Sequence, residues 1–566
     1  TSSHNTALGY AALNNATSEK NTSVGSNSLV YLTTGANNCA LGYAALSACT
    51  TASGNCAMGY IALTNNTTGT RNTAFGAYAA DGITTANDNT AVGYAALTAA
   101  NTGASNCAFG ANALENNTSG YSGTGVGRYA LYSNTTGNMN TAIGNNALYS
   151  NSTGANNTAL GASTLQGNTT ASNNTAVGYQ ALYVNTTATN NTAVGAFSLD
   201  ANTTGYDNTA VGTGALSACV SGMGNAVLGS YCARLVTGSG NVAIGRDALY
   251  TGDACNYNVA IGYHAGNDIT TGNKNIAIGD ESLAKLSTAS GNVAVGSAAG
   301  YAMTTGAQNT ALGYEALYTL TTGVENTAVG YYALRLSQTA STKNTCIGYN
   351  AGGNATTANN LVCVGRHAGV SCTTGGGNTF IGEEAGDTCT SGYANVVVGE
   401  NSDVDSSGRI GATALGPGVT TYAVNWSTMI KSDGGIYNTG NTSAFNTTSD
   451  SRIKKDIVDN TQGLEVINKI RVCNFKYRTA EEIDAPELQE YDLKNLAVSN
   501  TKLQIGAIAQ EIEEVLPDTV TYSDWGVRDI NTDPVLWHLV NAVQELSAKN
   551  DALAAEVASL KSQINN

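Results

Sequence analysis

The sequence predicts a mainly β protein: a long trimeric β-solenoid of 17-residue coils, then a small α+β domain, then a C-terminal coiled coil. Three observations predict it. A glycine recurs 25 times between Gly9 and Gly416, and of the 24 intervals 21 are 17 residues, two are 16 and one is 18. All four prolines, Pro417, Pro486, Pro517 and Pro534, lie beyond the last of these glycines, as an uninterrupted backbone ladder requires. The final stretch carries apolar residues alternately four and three apart, from Leu539 to Ile564. Self-similarity at one short period is the signature of stacked coils, each touching only its neighbours.

The columns of the repeat specify the coil. The best copies, Asn89 to Leu97 and Asn174 to Leu182, read Asn-Thr-Ala-Val-Gly-Tyr-x-Ala-Leu. With the glycine as position 0, position −1 is apolar in all 25 copies and −2 is mostly Ala, which predicts a short strand over −3 to −1. Alternation puts Thr and Val (−3, −1) on one face and Ala and Gly (−2, 0) on the other. Neither face suits water, so one lines the coil and the other meets a close neighbour; the small −2 and 0 residues are the expected close-approach face between chains. Small residues at +3 and Leu at +4 (Leu13, Leu97, Leu182, Leu317) mark a second core-facing segment. Position −4 is Asn in 22 of 25 copies, a residue that tolerates tight turns and whose stacked amides hydrogen-bond from coil to coil. Thr-Thr-Gly or Thr-Thr-Ala at +8 to +10 forms the other corner. In the last third Gly266, Gly300, Gly352, Gly369 and Gly386 replace the +4 Leu, which predicts a narrower cross-section there. Stacked at about 4.8 Å, 24 intervals give a rod on the order of 115 Å long.

Charge places the boundaries. Of 24 Lys/Arg and 40 Asp/Glu, residues 1–399 hold 10 and 16, and the shorter remainder holds 14 and 24. The expected organisation is a solenoid shaft over 1–400, a β-rich neck over 401–448 with Asp433-Gly434-Gly435 as a hairpin tip, a small domain over 449–538 and a trimeric coiled coil over 539–566. No basic stripe points to nucleic acid, and no apolar run is long enough for membrane insertion. The chain opens inside a repeat at Thr1 without Met or signal peptide, so a preceding attachment segment is expected. The 12 cysteines replace small residues in their columns; neighbours such as Cys372 and Cys389 leave a few disulfides open. With no Cys-x-x-Cys, no Cys/His cluster and no clustered carboxylates, neither metal nor cofactor is expected. His4, His264, His367 and His538 lie far apart and read as surface or packing residues. Tyr at +1 (Tyr10, Tyr43, Tyr60, Tyr94, Tyr179, Tyr263, Tyr314, Tyr331, Tyr349) reads first as a packing ladder and second as a carbohydrate-stacking surface.

Beyond the neck the period changes. Leu464, Ile467 and Ile470 predict a helix, alternating Cys473, Phe475 and Tyr477 a strand, and Ile508, Ile512, Val515 and Leu516 a second helix stopped by Pro517. The closing heptad runs Leu539, Val543, Leu546, Asn550, Leu553, Val557, Leu560 and Ile564. Its single polar a position, Asn550, fixes register at some cost in stability.

Three segments in order carry a resemblance: Ser449-Asp450-Ser451-Arg452-Ile453-Lys454-Lys455, Ile505-Gly506-Ala507-Ile508-Ala509-Gln510-Glu511 running on to Pro517, and Leu539-Val540-Asn541-Ala542-Val543-Gln544-Glu545-Leu546. Together they resemble the self-cleaving intramolecular chaperone domain of phage endosialidases, tail fibres and neck appendages. The resemblance covers roughly residues 446–566. It implies a domain that trimerises, helps the upstream β-structure assemble and then cuts itself off at Thr448-Ser449, with Ser449 as nucleophile and Lys454 as its base. Ser451 and Lys455 remain the alternatives, and taken alone Ser449-x-x-x-x-Lys454 is also an ordinary polar helix start. The array separately resembles the left-handed β-roll heads of trimeric bacterial adhesins, whose repeats are usually shorter.

The functional expectation is a homotrimeric phage tail fibre, made in the host cytoplasm and extracellular in the mature virion. Its partners would be two further copies of itself, a host surface receptor with glycans among the candidates, and other tail proteins. At most it is an autoproteolytic Ser-Lys peptidase acting once in cis. A polysaccharide-degrading tailspike, a bacterial trimeric adhesin and an ice-binding solenoid are the rival readings; the uniform array shows no insertion to hold a carboxylate pair.

Overall fold

A computed structural model describes residues 3–338, 341–421, 428–430, 436–438, 456–476, 478, 503–522 and 528–565. The chain divides into two compact units, Thr1–Thr448 and Ser449–Asn566.

In the first unit every repeat contributes one three-residue strand at −3 to −1, from β1 (Thr6–Leu8) to β25 (Thr413–Leu415). Consecutive strands pair parallel and in register: Thr175, Ala176 and Val177 face Thr192, Ala193 and Val194. The pairing survives the uneven intervals, with Leu228 opposite Ile244 across a 16-residue coil and Val329 opposite Ile347 across the 18-residue one. The ladder continues past residue 400 through β25 to β26 (Thr428–Ile430), against which β27 (Ile436–Asn438) runs antiparallel. Residues 431–435 between them, with the expected tip Asp433-Gly434-Gly435, lie outside the described residues.

The invariant glycine is dictated by backbone approach. Gly178 has φ +130, and a Cβ there would lie 2.7 Å from the carbonyl carbon and oxygen of Gly195 in the next coil. That conformation is essentially closed to other residues. The turn that follows places +2 and +4 in the left-handed region too, as at Ala95 (φ 52) and Leu97 (φ 60).

The core is a column of Ala at −2 and +3 and Leu at +4, all fully buried, as at Ala91, Ala96 and Leu97. This corrects the expected role of the small −2 face: it lines the coil and cannot meet another chain. The coil is thin, so a methyl group at −2 is what fits opposite the +4 leucine, and the −3 and −1 side chains must point outward. Phe75, Phe109, Leu160 and Leu228, all at −1, are accordingly about half exposed. The expected narrowing in the last third is corrected as well. Gly266 and Gly300 occupy the left-handed +4 site, and Ile269 and Met303, both buried, supply the missing volume; Phe380 does so beside Gly369 and Gly386.

Two asparagine ladders run through the shaft. At −4, Asn174 Oδ1 accepts from the Asn191 backbone N–H at 2.9 Å, Asn191 Oδ1 from the Asn208 N–H at 3.0 Å, and Asn191 Nδ2 donates to the Gly205 carbonyl at 2.9 Å. A second, unanticipated ladder at +7 links Asn117, Asn134, Asn151, Asn168 and Asn185 by amide bonds of 2.7–2.9 Å. Asn191→Ala is therefore expected to orphan the buried Asn208 N–H and cost about 1–3 kcal/mol. Because each coil is held only by its neighbours, hydrogen exchange should accelerate locally, roughly 5- to 150-fold for that cost, and leave distant coils unchanged.

The second unit is small. Its described residues form α1 (Leu464–Ile467), β28 (Cys473–Phe475) paired antiparallel with β29 (Gln504–Gly506), α2 (Ala509–Val515), a 3-10 turn at Pro517–Thr519, the antiparallel pair β30 (Val520–Tyr522) and β31 (Arg528–Ile530), and α3 (Thr532–Ile564). Leu516 leaves helical geometry (φ −138, ψ 75), as a residue before proline tends to. Ile512, Leu516 and Val520 form the core, against Val466, Ile470, Ala507, Val515, Ile530 and Val535. Helix α3 begins at Thr532, ahead of the heptad, and its heptad residues Leu539, Val543, Leu546, Leu553, Val557 and Leu560 are exposed. Such a seam has the spacing of a coiled coil.

Candidate functional site

Of the three segments singled out by sequence, the first, with Thr448, Ser449, Lys454 and the alternatives Ser451 and Lys455, lies outside the described residues. The second packs against the helix that carries the third, at Val535 ahead of that third segment. Helix α2 carries Ile512, Val515 and Leu516 into the core, where Val535 of α3 meets them. The third segment turns out to have two faces. Leu539, Val543 and Leu546 lie on the exposed seam, whereas Ala542, together with His538 just ahead of the segment, is buried against the chain that precedes α1.

That chain forms a strap across α3. His538 Nδ1 donates to the Gln462 carbonyl at 2.7 Å, and Asn541 Nδ2 donates to the Asn460 carbonyl at 2.7 Å and to that of Gln462 at 3.3 Å. The Leu464 N–H donates to Glu545 Oε2 at 3.2 Å. Within the strap the Gln462 N–H turns back to Asn460 Oδ1 at 2.9 Å. Gly463 is required by proximity: a Cβ there would sit 2.7 Å from the Ala542 backbone nitrogen. Sequence reasoning missed this face; the available signal was three polar residues at helical spacing beside the heptad, and a glycine just before a predicted helix.

Ion pairs orient the remaining elements. Glu513 accepts from the Tyr522 hydroxyl at 2.6 Å and from Arg528 Nε at 2.8 Å, and these donors hold its carboxyl below the usual range. The Arg471 guanidinium does the same for Glu511 from α1's side, with Nε 2.9 Å from Oε2. Both pairs are solvent-accessible, so they set geometry more than stability.

The shaft's other candidate groups are engaged with one another. Tyr314, Tyr331 and Tyr349 stack at 5.0 and 5.5 Å with interplanar angles of 18° and 7°, and Tyr43 stacks on Tyr60 at 5.5 Å. Elsewhere in the column Tyr94 and Tyr179 meet Tyr78 and Phe197 edge-on, Tyr263 stacks on His264, and Tyr10 is exposed, so the column is a stacked ladder only in part. The +8 threonine hydroxyls also bond within the rod, as Thr33 to the Thr50 carbonyl at 2.9 Å and Thr118 to that of Thr135 at 3.0 Å. All 12 cysteines are free thiols. Burial pushes Cys49, Cys219 and Cys255 up to about 11 and Cys232 up to about 12, so they pack as small apolar residues. Among the described residues no group of three or more His, Cys, Asp or Glu is placed to hold a metal ion, and no helix is long and apolar enough to cross a membrane.

Residues 449–521 match the family described as chaperone of endosialidase. The match begins at Ser449 and spans the first two sequence segments. The C-terminal unit is thus similar to that chaperone, and it follows a parallel β-solenoid of the kind the repeat predicted. No curated protein and no solved structure matches the chain.

Proposed function

We propose that the protein is a homotrimeric viral tail fibre for host attachment, whose C-terminal unit aligns three shafts and then cuts itself off at Thr448-Ser449. The observation that carries this reading is the outward face of the shaft. Columns −3 and −1 contain no charged residue in any of the 25 coils, yet −1 residues such as Phe75 and Leu228 stay half exposed in the single chain. A continuous apolar stripe of that length marks an interface. Its occupant is two further copies of the same chain, because they repeat the same spacing and the same absence of charge. The exposed heptad seam of α3 supports the same oligomer independently. Mature fibres are placed on the virion outside the cell, with a surface receptor and other tail proteins as partners.

The cut follows from chemistry at the proposed bond. Ser449 Oγ attacks the Thr448 carbonyl carbon while Lys454 accepts the hydroxyl proton. The acyl group moves from the Ser449 nitrogen to its oxygen, the nitrogen leaves as an amine with the proton that Lys454 returns, and water then hydrolyses the ester to a Thr448 carboxylate and a free Ser449 hydroxyl. Lysine acts as a base only where desolvation or neighbouring cations lower its pKa. The family match beginning at Ser449 and the division of the chain into units at the same bond support this placement.

Light scattering on the folded protein tests the assembly. The expected mass is three chains. Val194→Asp with Val211→Asp, both on the outward face, is expected to abolish the trimer, whereas the exposed Thr187→Asp on another face leaves it intact. A monomer or dimer from the unaltered chain would overturn the reading.

A further inference from the structure

We infer that the polar face of α3, formed by His538, Asn541 and Glu545, is a clamp that ties the strap over 460–464, downstream of the proposed cleavage bond, to the oligomerising helix. The inference rests on the cleavage reading above and adds the residues that couple cutting to assembly.

The three side chains are spaced i, i+3 and i+7 and therefore share one face of the helix. They engage successive backbone groups of one strap: the Asn460 and Gln462 carbonyls at 2.7 Å each and the Leu464 N–H at 3.2 Å. His538 is 6% exposed and Ala542 4%, so the His538 end of the seat is buried, whereas the Asn541 bonds lie at its exposed edge. Gly463 lets the two backbones touch.

The strap is covalently continuous with the proposed nucleophile. Asn460 stands eleven positions after Ser449 and six after Lys454. Fully extended, these spans reach at most about 40 and 22 Å, so clamping Asn460 tethers both groups to α3 within those lengths. The helix then does two things at once. One face offers Leu539, Val543 and Leu546 to partner helices, and another holds the strap. Assembly that orders α3 therefore orders the strap, from which the chain runs back to the serine and lysine. His538, Asn541 and Glu545 are positioning residues; none touches the reacting atoms in this account.

The test uses the full chain and follows cleavage by intact mass during folding, with light scattering in parallel. Asn541→Asp keeps the shape but removes the donor to both carbonyls, and is expected to slow cleavage at least tenfold while the mass stays at three chains. His538→Ala should do the same and His538→Gln, which restores a donor, should recover most of the rate. Glu545→Gln keeps an acceptor for the Leu464 N–H and is expected to cut near the unaltered rate, unlike Glu545→Ala. Gly463→Ala should lift the strap and slow the cut, because its Cβ would meet the Glu545 carboxylate and lie 2.7 Å from the Ala542 backbone nitrogen. Unaltered cleavage in Asn541→Asp, His538→Ala and Gly463→Ala, with the parent chain cutting normally, would overturn the clamp alone. Loss of the trimer together with cleavage, with no recovery in His538→Gln, would make these residues merely structural and overturn it too. A parent chain that never cuts would overturn the cleavage reading itself, and the clamp with it.

Discussion

Synthesis of residues 1–448 without the C-terminal unit is expected to yield aggregated or polydisperse shafts, whereas shafts from which that unit has departed after folding are expected to stay soluble, trimeric and monodisperse. The reason is register. Three arrays of 25 near-identical coils shifted by one repeat lose contacts only at their ends and keep the same uncharged Thr and Val face in contact elsewhere. Many misaligned trimers therefore lie close in energy to the correct one, and a rod built from long parallel ladders is slow to correct itself and prone to aggregate. The three uneven intervals penalise slippage locally, but a device that fixes alignment before the coils close is far more effective. The α3 seam, with its single polar position at Asn550, fits that role. Once formed, the shaft is held by its own ladders of backbone and asparagine bonds, so the aligning unit is needed only during folding. Sedimentation and light scattering on the two preparations make the comparison; equal, monodisperse trimers from both would remove the need for a chaperone.

Ser449→Ala is expected to leave the chain at full length and still trimeric. Folding uses the whole C-terminal unit, and the cut uses one hydroxyl. Lys454→Ala should slow cleavage by 10²-fold or more, roughly 3 kcal/mol in the barrier, which is the usual cost of removing a general base. If Ser451 is the nucleophile, Ser451→Ala will show this behaviour and Ser449→Ala will not. If Lys455 is the base, the lysine substitutions will exchange effects in the same way.

Much of the shaft was legible because one constraint is written 25 times. The strand at −3 to −1, the glycine, the −4 asparagine and the +4 leucine each recur often enough to stand out from the variation around them. Which strand face points inward was not legible. Alternation states that Thr and Val share a face and that Ala and Gly share the other, but both faces are uncharged, and only the thickness of the coil decides that the methyl of Ala91 goes inside. Leu97 in left-handed geometry was equally hidden, since leucine avoids that region and takes it here only because burial outweighs the strain. The +7 asparagine ladder escaped notice because its column also holds Cys49, Leu32 and Ile83, all buried at the same point of the coil. In the C-terminal unit the helices and their order were readable from periodicity and Pro517. The clamp was not, because Asn541 and Glu545 fall inside a strong heptad that accounts for the segment without them. The cleavage residues rest on resemblance, as a serine five positions before a lysine carries little information by itself.

The most direct test of the account is the N-terminal sequence and mass of the fragments that appear as the unaltered chain matures. The account predicts two pieces, of 448 residues and the remaining 118 of the 566, the smaller beginning at Ser449. A fragment beginning at Ser451 would move the nucleophile, and a chain that folds into its trimer and stays at full length under every folding condition would contradict self-release.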